Sequence, residues 1–175
     1  MADEALKDRL QPSLLDRLTD DAPGDLKETR DSRVIDLIRL REIIQRDLAW
    51  LLNTYDNSSS FDPVEYPNVA RSVLTYGVTE VSGEYSTKER TELIQDSMAR
   101  AIERFEPRII AGTLHVVVRE EEAGNKTLVN FDIAGEMWAR PLPRELYLRS
   151  QVDITTGELT LEQQSTAGAL RSLGV

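Results

Sequence analysis

The chain has no cysteine among its 175 residues. That excludes a disulfide framework, a thiol nucleophile and a cysteine-ligated metal. It has a single histidine, His115, which leaves no His-rich metal site and no His-based triad to build. Long apolar runs are also missing; nothing approaches the roughly 18 residues of a membrane helix. The first ten residues, MADEALKDRL, are charged and lack the apolar region of a secretory signal, so the expected location is the cytoplasm, without direct membrane insertion. Dense Lys/Arg clusters are absent too, and the net charge is −10. A phosphate backbone would be repelled by that field, so nucleic acid is not an expected partner. The glycines Gly83, Gly112, Gly124, Gly135 and Gly157 stand alone and make no phosphate-binding loop.

What is present is patterned. Residues 1–31 are polar except for one apolar island, LQPSLLDRLTDD. Pro12 and Ser13 can start a short helix that puts Leu14, Leu15 and Leu18 on one side. Such a helix either packs on its own domain or docks on another protein. DAPGDLKETRD reads as a linker. From Ser32, a candidate N-cap, to Asn53 the spacing predicts one long amphipathic helix, with Leu37, Ile44, Leu48 and Leu51 on its stripe and Val34, Leu40 and Leu52 widening it. Arg46 and Asp47 lie where the stripe is densest. They read as an ion pair that steers packing or as a contact for a partner.

Residues 54–67 are rich in turn formers, and NVARSVLTYGV is a short helix or irregular segment closed by Gly77. A second helix follows, opened by the capping-box pattern of Ser86 and Glu89. Its inner stripe is Ile94, Met98, Ala101, Ile102 and Phe105. Beyond Arg108 the apolar period changes to two: Leu114, Val116, Val118, then Val129, Phe131, Ile133, Met137, then Leu146, Leu148, Val152, Ile154, with a brief return at ELTL. Short connections between half-apolar strands mean antiparallel hairpins. The expected fold is α+β: two main amphipathic helices on one face of an antiparallel meander of three to four strands. The organisation is an N-terminal docking arm (1–31), one domain (32–162) and a loose tail (163–175), with no internal repeat.

The junction RFEPRII raises the sharpest question. Proline disfavours helical geometry in the residue before it, so the helix ends at Phe105 or Glu106. Glu106 is then a helix-stop surface charge, half of a docking contact, or a catalytic acid. Acid catalysis on a glycoside needs a second carboxylate about 5–9.5 Å away. Asp132 and Glu136 share a strand face but stand roughly 13 Å apart. Arg108 beside Glu106 favours its ionised form, the wrong state for a general acid. His115 falls out of phase with Leu114 and Val116 and faces solvent or the sheet.

The ordered set SLLDRLTD, LREIIQRDLAWLLNT, YPNVARSVLTYGV, SMARAIERFEPRI and RPLPRELYLRSQVDITTGEL resembles the TssE family. These are baseplate wedge components of type VI secretion systems, related to a lysozyme-like wedge protein of contractile-tailed phages. The resemblance runs from about residue 13 to 162, and Glu106-Pro107-Arg108 is its most specific motif. It implies a non-enzymatic, cofactor-free structural protein that helps assemble the baseplate and seed contractile sheath polymerisation. The implied partners are TssF-like and TssG-like subunits and TssB/TssC-like sheath subunits of the first ring. Glu106, Pro107, Arg108, Arg46 and Asp47 are the implied partner contacts, with Leu14, Leu15 and Leu18 docking from the arm. The sheet would pair with strands donated by the sheath. The alternative is a peptidoglycan-acting glycoside hydrolase using Glu106. Thr75 stands where the family has asparagine, which leaves the role of that amide open.

Overall fold

The computed structural model describes residues 12–20, 23–24, 35–80, 88–119, 127–139 and 142–163. Helix α1 (Leu14–Leu18) is capped by Ser13, whose hydroxyl accepts from the Asp16 N–H. Helix α2 (Leu37–Leu52) is capped by Asp36, whose carboxylate accepts from the Arg39 N–H at 2.7 Å. An ionised oxygen satisfies one of the orphan donors there; Ser32, the cap expected from sequence, lies outside the described residues. Leu40, Ile43, Ile44, Leu48, Leu51 and Leu52 form the buried stripe of α2. Helix α3 (Lys88–Phe105) buries Ile94, Ser97, Met98, Ala101 and Ile102. Ser86 of the expected capping box lies outside the described residues.

Four strands follow: β1 (His115–Arg119), β2 (Leu128–Met137), β3 (Arg144–Asp153) and β4 (Leu159–Gln163). They pair antiparallel in sequence order. Both helices cover one face, α3 over β1 and α2 over β4. Alternation decides which side chains meet them. Val116, Val129, Phe131, Ile133, Leu146, Leu148, Val152 and Leu159 point inward and are buried with the helix stripes in one core. Gly135 interrupts that alternation for a steric reason. A Cβ there would meet the Ile109 side chain at 3.2 Å, because Ile109 bridges to Met137 and covers the same spot.

The segment from 54 to 80 crosses between the helices. Val73–Thr75 form a single 3₁₀ turn capped by Ser72. Thr75 is buried, and its hydroxyl donates to the Ser72 carbonyl at 2.9 Å, which satisfies the polar atom in place of the expected amide. Gly77 closes the segment at φ +127, where a side chain would strike the Thr54 carbonyl. That close approach lets the Val78 N–H reach the Thr54 oxygen at 2.8 Å.

Candidate functional site

Helix α3 stops where proline requires. The Glu106 N–H donates to the Ile102 carbonyl at 2.9 Å, and Pro107 has no N–H to extend the ladder. The chain turns there, with the Ile109 N–H on the Glu106 carbonyl at 3.2 Å. Arg108 then leads into the ladder: its carbonyl accepts from the Trp138 N–H at 2.7 Å. The turn folds the two charged side chains onto each other. The Glu106 Oε1 accepts from Arg108 Nε at 2.6 Å and from the Arg108 backbone N–H at 3.1 Å, and Oε2 pairs with Nη2.

Glu106 is therefore not a surface charge; it is 4% exposed. Pro107 is exposed and Arg108 half-buried. From the far side Asp47 on α2 accepts from Arg108 Nη2 at 2.7 Å. Its other oxygen accepts from Arg46 Nη2 at 2.7 Å and Nε at 2.9 Å. Arg46 Nη1 continues to Asp16 on α1 at 2.6 Å. The result is one alternating chain, Glu106–Arg108–Asp47–Arg46–Asp16, tying three segments together. Its electrostatics follow from that order. Burial alone would lower the pKa of Arg108, but hydrogen bonds and charge from Glu106 and then Asp47 outweigh it and raise it. Bonding to Asp16, against a burial cost and with help from Asp47, raises Arg46. Burial would raise Asp16, yet Arg46 and Ser13 hold it below its ordinary value. Burial and then the charges of Asp47 and Glu106 raise Tyr76 nearby.

All five central sequence candidates thus converge: Arg46, Asp47, Glu106, Pro107 and Arg108. The arm leucines do not join the core. Leu14 is 72% exposed, Leu15 48% and Leu18 75%, while Asp16 between them is the residue that anchors α1. Asp16 and Trp50 were missed by sequence reasoning. Trp50 is 52% exposed and carries the Arg46 guanidinium 4.9 Å from its ring centroid. Its signal was available, since residues four apart on a helix are neighbours. An aspartate flanked by leucines carries no comparable local signal.

The arrangement is poorly suited to acid catalysis. A general acid must carry a proton, and both Glu106 oxygens accept from Arg108. A second carboxylate, Asp47, shares the same guanidinium. A cleft of about 260 Å³ between α3 and the 56–79 segment is lined by Asp56, Arg100 and Arg104, and a smaller one by Tyr55 and Met98; Glu106 lines neither. Asp132 is taken by Arg119, with Arg149 at 4.0 Å. His115 is exposed on β1. Among the described residues no group of three His, Cys, Asp or Glu could hold a metal ion, and no helix is long and apolar enough to cross a membrane.

The family model of the baseplate wedge protein gp25 matches residues 38–142, more than half of the chain, from the first turn of α2 to beyond β2. This chain belongs to the baseplate wedge protein family. That is the family of TssE and the phage baseplate wedge proteins, and it gives the chain a structural role in a baseplate, assembled with other baseplate components. A search of curated proteins and a search of solved structures returned no match. The matched span contains four of the five charges in the ionic chain, and Asp16 lies outside it.

Proposed function

We propose that this wedge protein is a type VI secretion baseplate subunit that docks TssF-like and TssG-like partners through the ionic chain and the arm leucines. The sheet then seeds the first ring of TssB/TssC-like sheath subunits, on the cytoplasmic side of the membrane. The observation that carries this reading is the way the ionic chain and α1 are displayed together. Asp16 on α1 bonds to Arg46 on α2, and the same guanidinium lies over the exposed Trp50, while Leu14, Leu15 and Leu18 stay exposed on α1. An exposed tryptophan beside an ordered arginine is the usual make-up of an energetic interface centre. Glu106 acts from beneath: it holds the Arg108 guanidinium in one orientation, so the partner meets a pre-ordered donor. The bonds on Nε and Nη2 leave Nη1 without an acceptor among the described residues. The residue range 32–162 is the domain in this reading, with 1–31 the arm and 163–175 the tail.

The test is co-purification. Glu106→Ala and Arg108→Ala should stay folded at 25 °C, lose the TssF-like and TssG-like subunits, and abolish sheath extension in cells. Asp132→Asn, on the opposite face of the sheet, should keep both. Normal assembly and secretion in both motif variants would refute the docking role.

A further inference from the structure

The segment from 54 to 80 is pinned to α3 at two separated places. The Thr79 N–H donates to the Ser97 hydroxyl at 2.7 Å, and further along the helix Arg104 Nη2 donates to the Ala70 carbonyl. Between these ties lies the cleft of about 260 Å³. That is just under the usual range of roughly 300–1,000 Å³ for small-ligand clefts, and it suits the side chains of a short segment. None of the five charges of the ionic chain lines it.

Its lining is apolar on one count and cationic on another. Phe61 and Phe105, two of the chain's three phenylalanines, supply the apolar surface. Arg100 and Arg104 supply the charge. They stand four residues apart on α3, so they are neighbours on one face and repel each other. Asp96 and Glu103 flank Arg100 at the spacings from which a helix ordinarily neutralises an arginine. The Arg100 guanidinium nevertheless makes no ion pair or hydrogen bond among the described residues. Asp56, which also lines the cleft, does not pair with it. Its Oδ1 accepts from the Ser58 N–H at 3.2 Å and hydroxyl at 2.7 Å, and its Oδ2 accepts from the Thr79 hydroxyl at 3.5 Å. Arg104 is ordered by its bond to Ala70 and by the Phe105 ring, whose centroid is 4.9 Å away.

We propose that this cleft binds an acidic segment of a partner protein. An Asp or Glu side chain of the partner takes the guanidinium groups of Arg100 and Arg104, and the apolar side chain beside it packs on Phe61 and Phe105. Charge complementarity selects that occupant: Arg100 keeps all its donors for a carboxylate, which it can meet with two parallel bonds, while the Asp56 oxygens are already engaged. A nucleic acid backbone is a poor fit, since it needs a run of cations, and here two arginines share the cleft with Asp56 in a chain of net charge −10. This contact is separate from docking through the ionic chain and stands or falls without it.

Titration of the full ¹⁵N-labelled chain, followed by nuclear magnetic resonance, tests this with three probes: N-acetyl-Phe-Glu-amide, N-acetyl-Phe-Gln-amide and inorganic phosphate. The acidic dipeptide should give saturable shifts at Phe61, Gly77 and Arg100. The glutamine dipeptide should bind roughly ten-fold more weakly, because it lacks the charge that Arg100 meets, and phosphate should be weaker than the acidic dipeptide. Arg100→Gln changes an exposed side chain and should keep the parent's spectrum elsewhere while losing the preference for glutamate. Equal binding of the two dipeptides, or no shift in the cleft with either, would overturn the proposal. Phosphate matching the acidic dipeptide at the same residues would make this a small-anion site instead. Shifts at these residues on concentrating the protein alone would make the occupant a second copy and overturn the partner assignment. Each of those failures leaves docking through the ionic chain untouched.

Discussion

Among the described residues two ionic clusters stand out, and they differ in kind. Glu106–Arg108–Asp47–Arg46–Asp16 joins residues 61 and 30 positions apart and includes a buried carboxylate. Arg119–Asp132–Arg149 lies on the outer face of the sheet between adjacent strands, with Arg119 and Asp132 only 13 positions apart and all three side chains partly exposed. The first holds separate elements in register at the end of the sheet. The second decorates a ladder that backbone hydrogen bonds already fix. Buried charge makes the difference: removing a partner from the first leaves a carboxylate without water, and from the second it leaves one that water can reach.

That contrast can be broken by mutation, starting where the effect is largest. Arg108→Ala strands Glu106 in the interior and should cost about 3 kcal/mol, a fall of roughly 10 °C in thermal midpoint. A change of a few tenths would show that the cluster is as loose as its counterpart on the sheet. Glu106→Gln keeps the shape and a hydrogen-bond acceptor for Arg108, and should cost about 1–2 kcal/mol in urea titration. A double-mutant cycle between Asp47 and Arg108 would sharpen the same point, with a coupling well above that of Arg119 and Asp132. Asp132→Asn should fall within about 1 kcal/mol of the parent.

The smallest effect on global stability belongs to Asp16, and its readout is pH. Arg46 and Ser13 hold its pKa below the ordinary aspartate value in the folded state. A depressed carboxylate contributes stability above its unfolded pKa and loses it as pH falls through the folded one. The bond between α1 and α2 should therefore be intact at neutral pH and fail only in acid below the usual aspartate range. Limited proteolysis between residues 18 and 37 should accelerate there, and Asp16→Asn should accelerate it already at pH 7. Equal rates for the variant and the parent at pH 7 would show that Asp16 does not hold the arm.

The sequence alone determined the elements and their faces. Leucine spacing in α2, the period of two after Arg108 and the stop at Pro107 are local properties, and each was read within a residue or a few of where it lies. The short helix at Leu14–Leu18 and a meander of three to four strands were legible for the same reason. Convergence was not legible. That Asp47 would bridge Arg108 to Arg46, that Glu106 would be buried beneath its own neighbour, and that Asp16 would anchor the arm all depend on where α2 crosses the end of the sheet. The same holds for Asn53 and Gln45, whose side-chain amides bond to β4 only because α2 packs beside it. Periodicity says which side of an element faces inward. Only packing decides which distant polar groups are brought close enough, and dry enough, to bond.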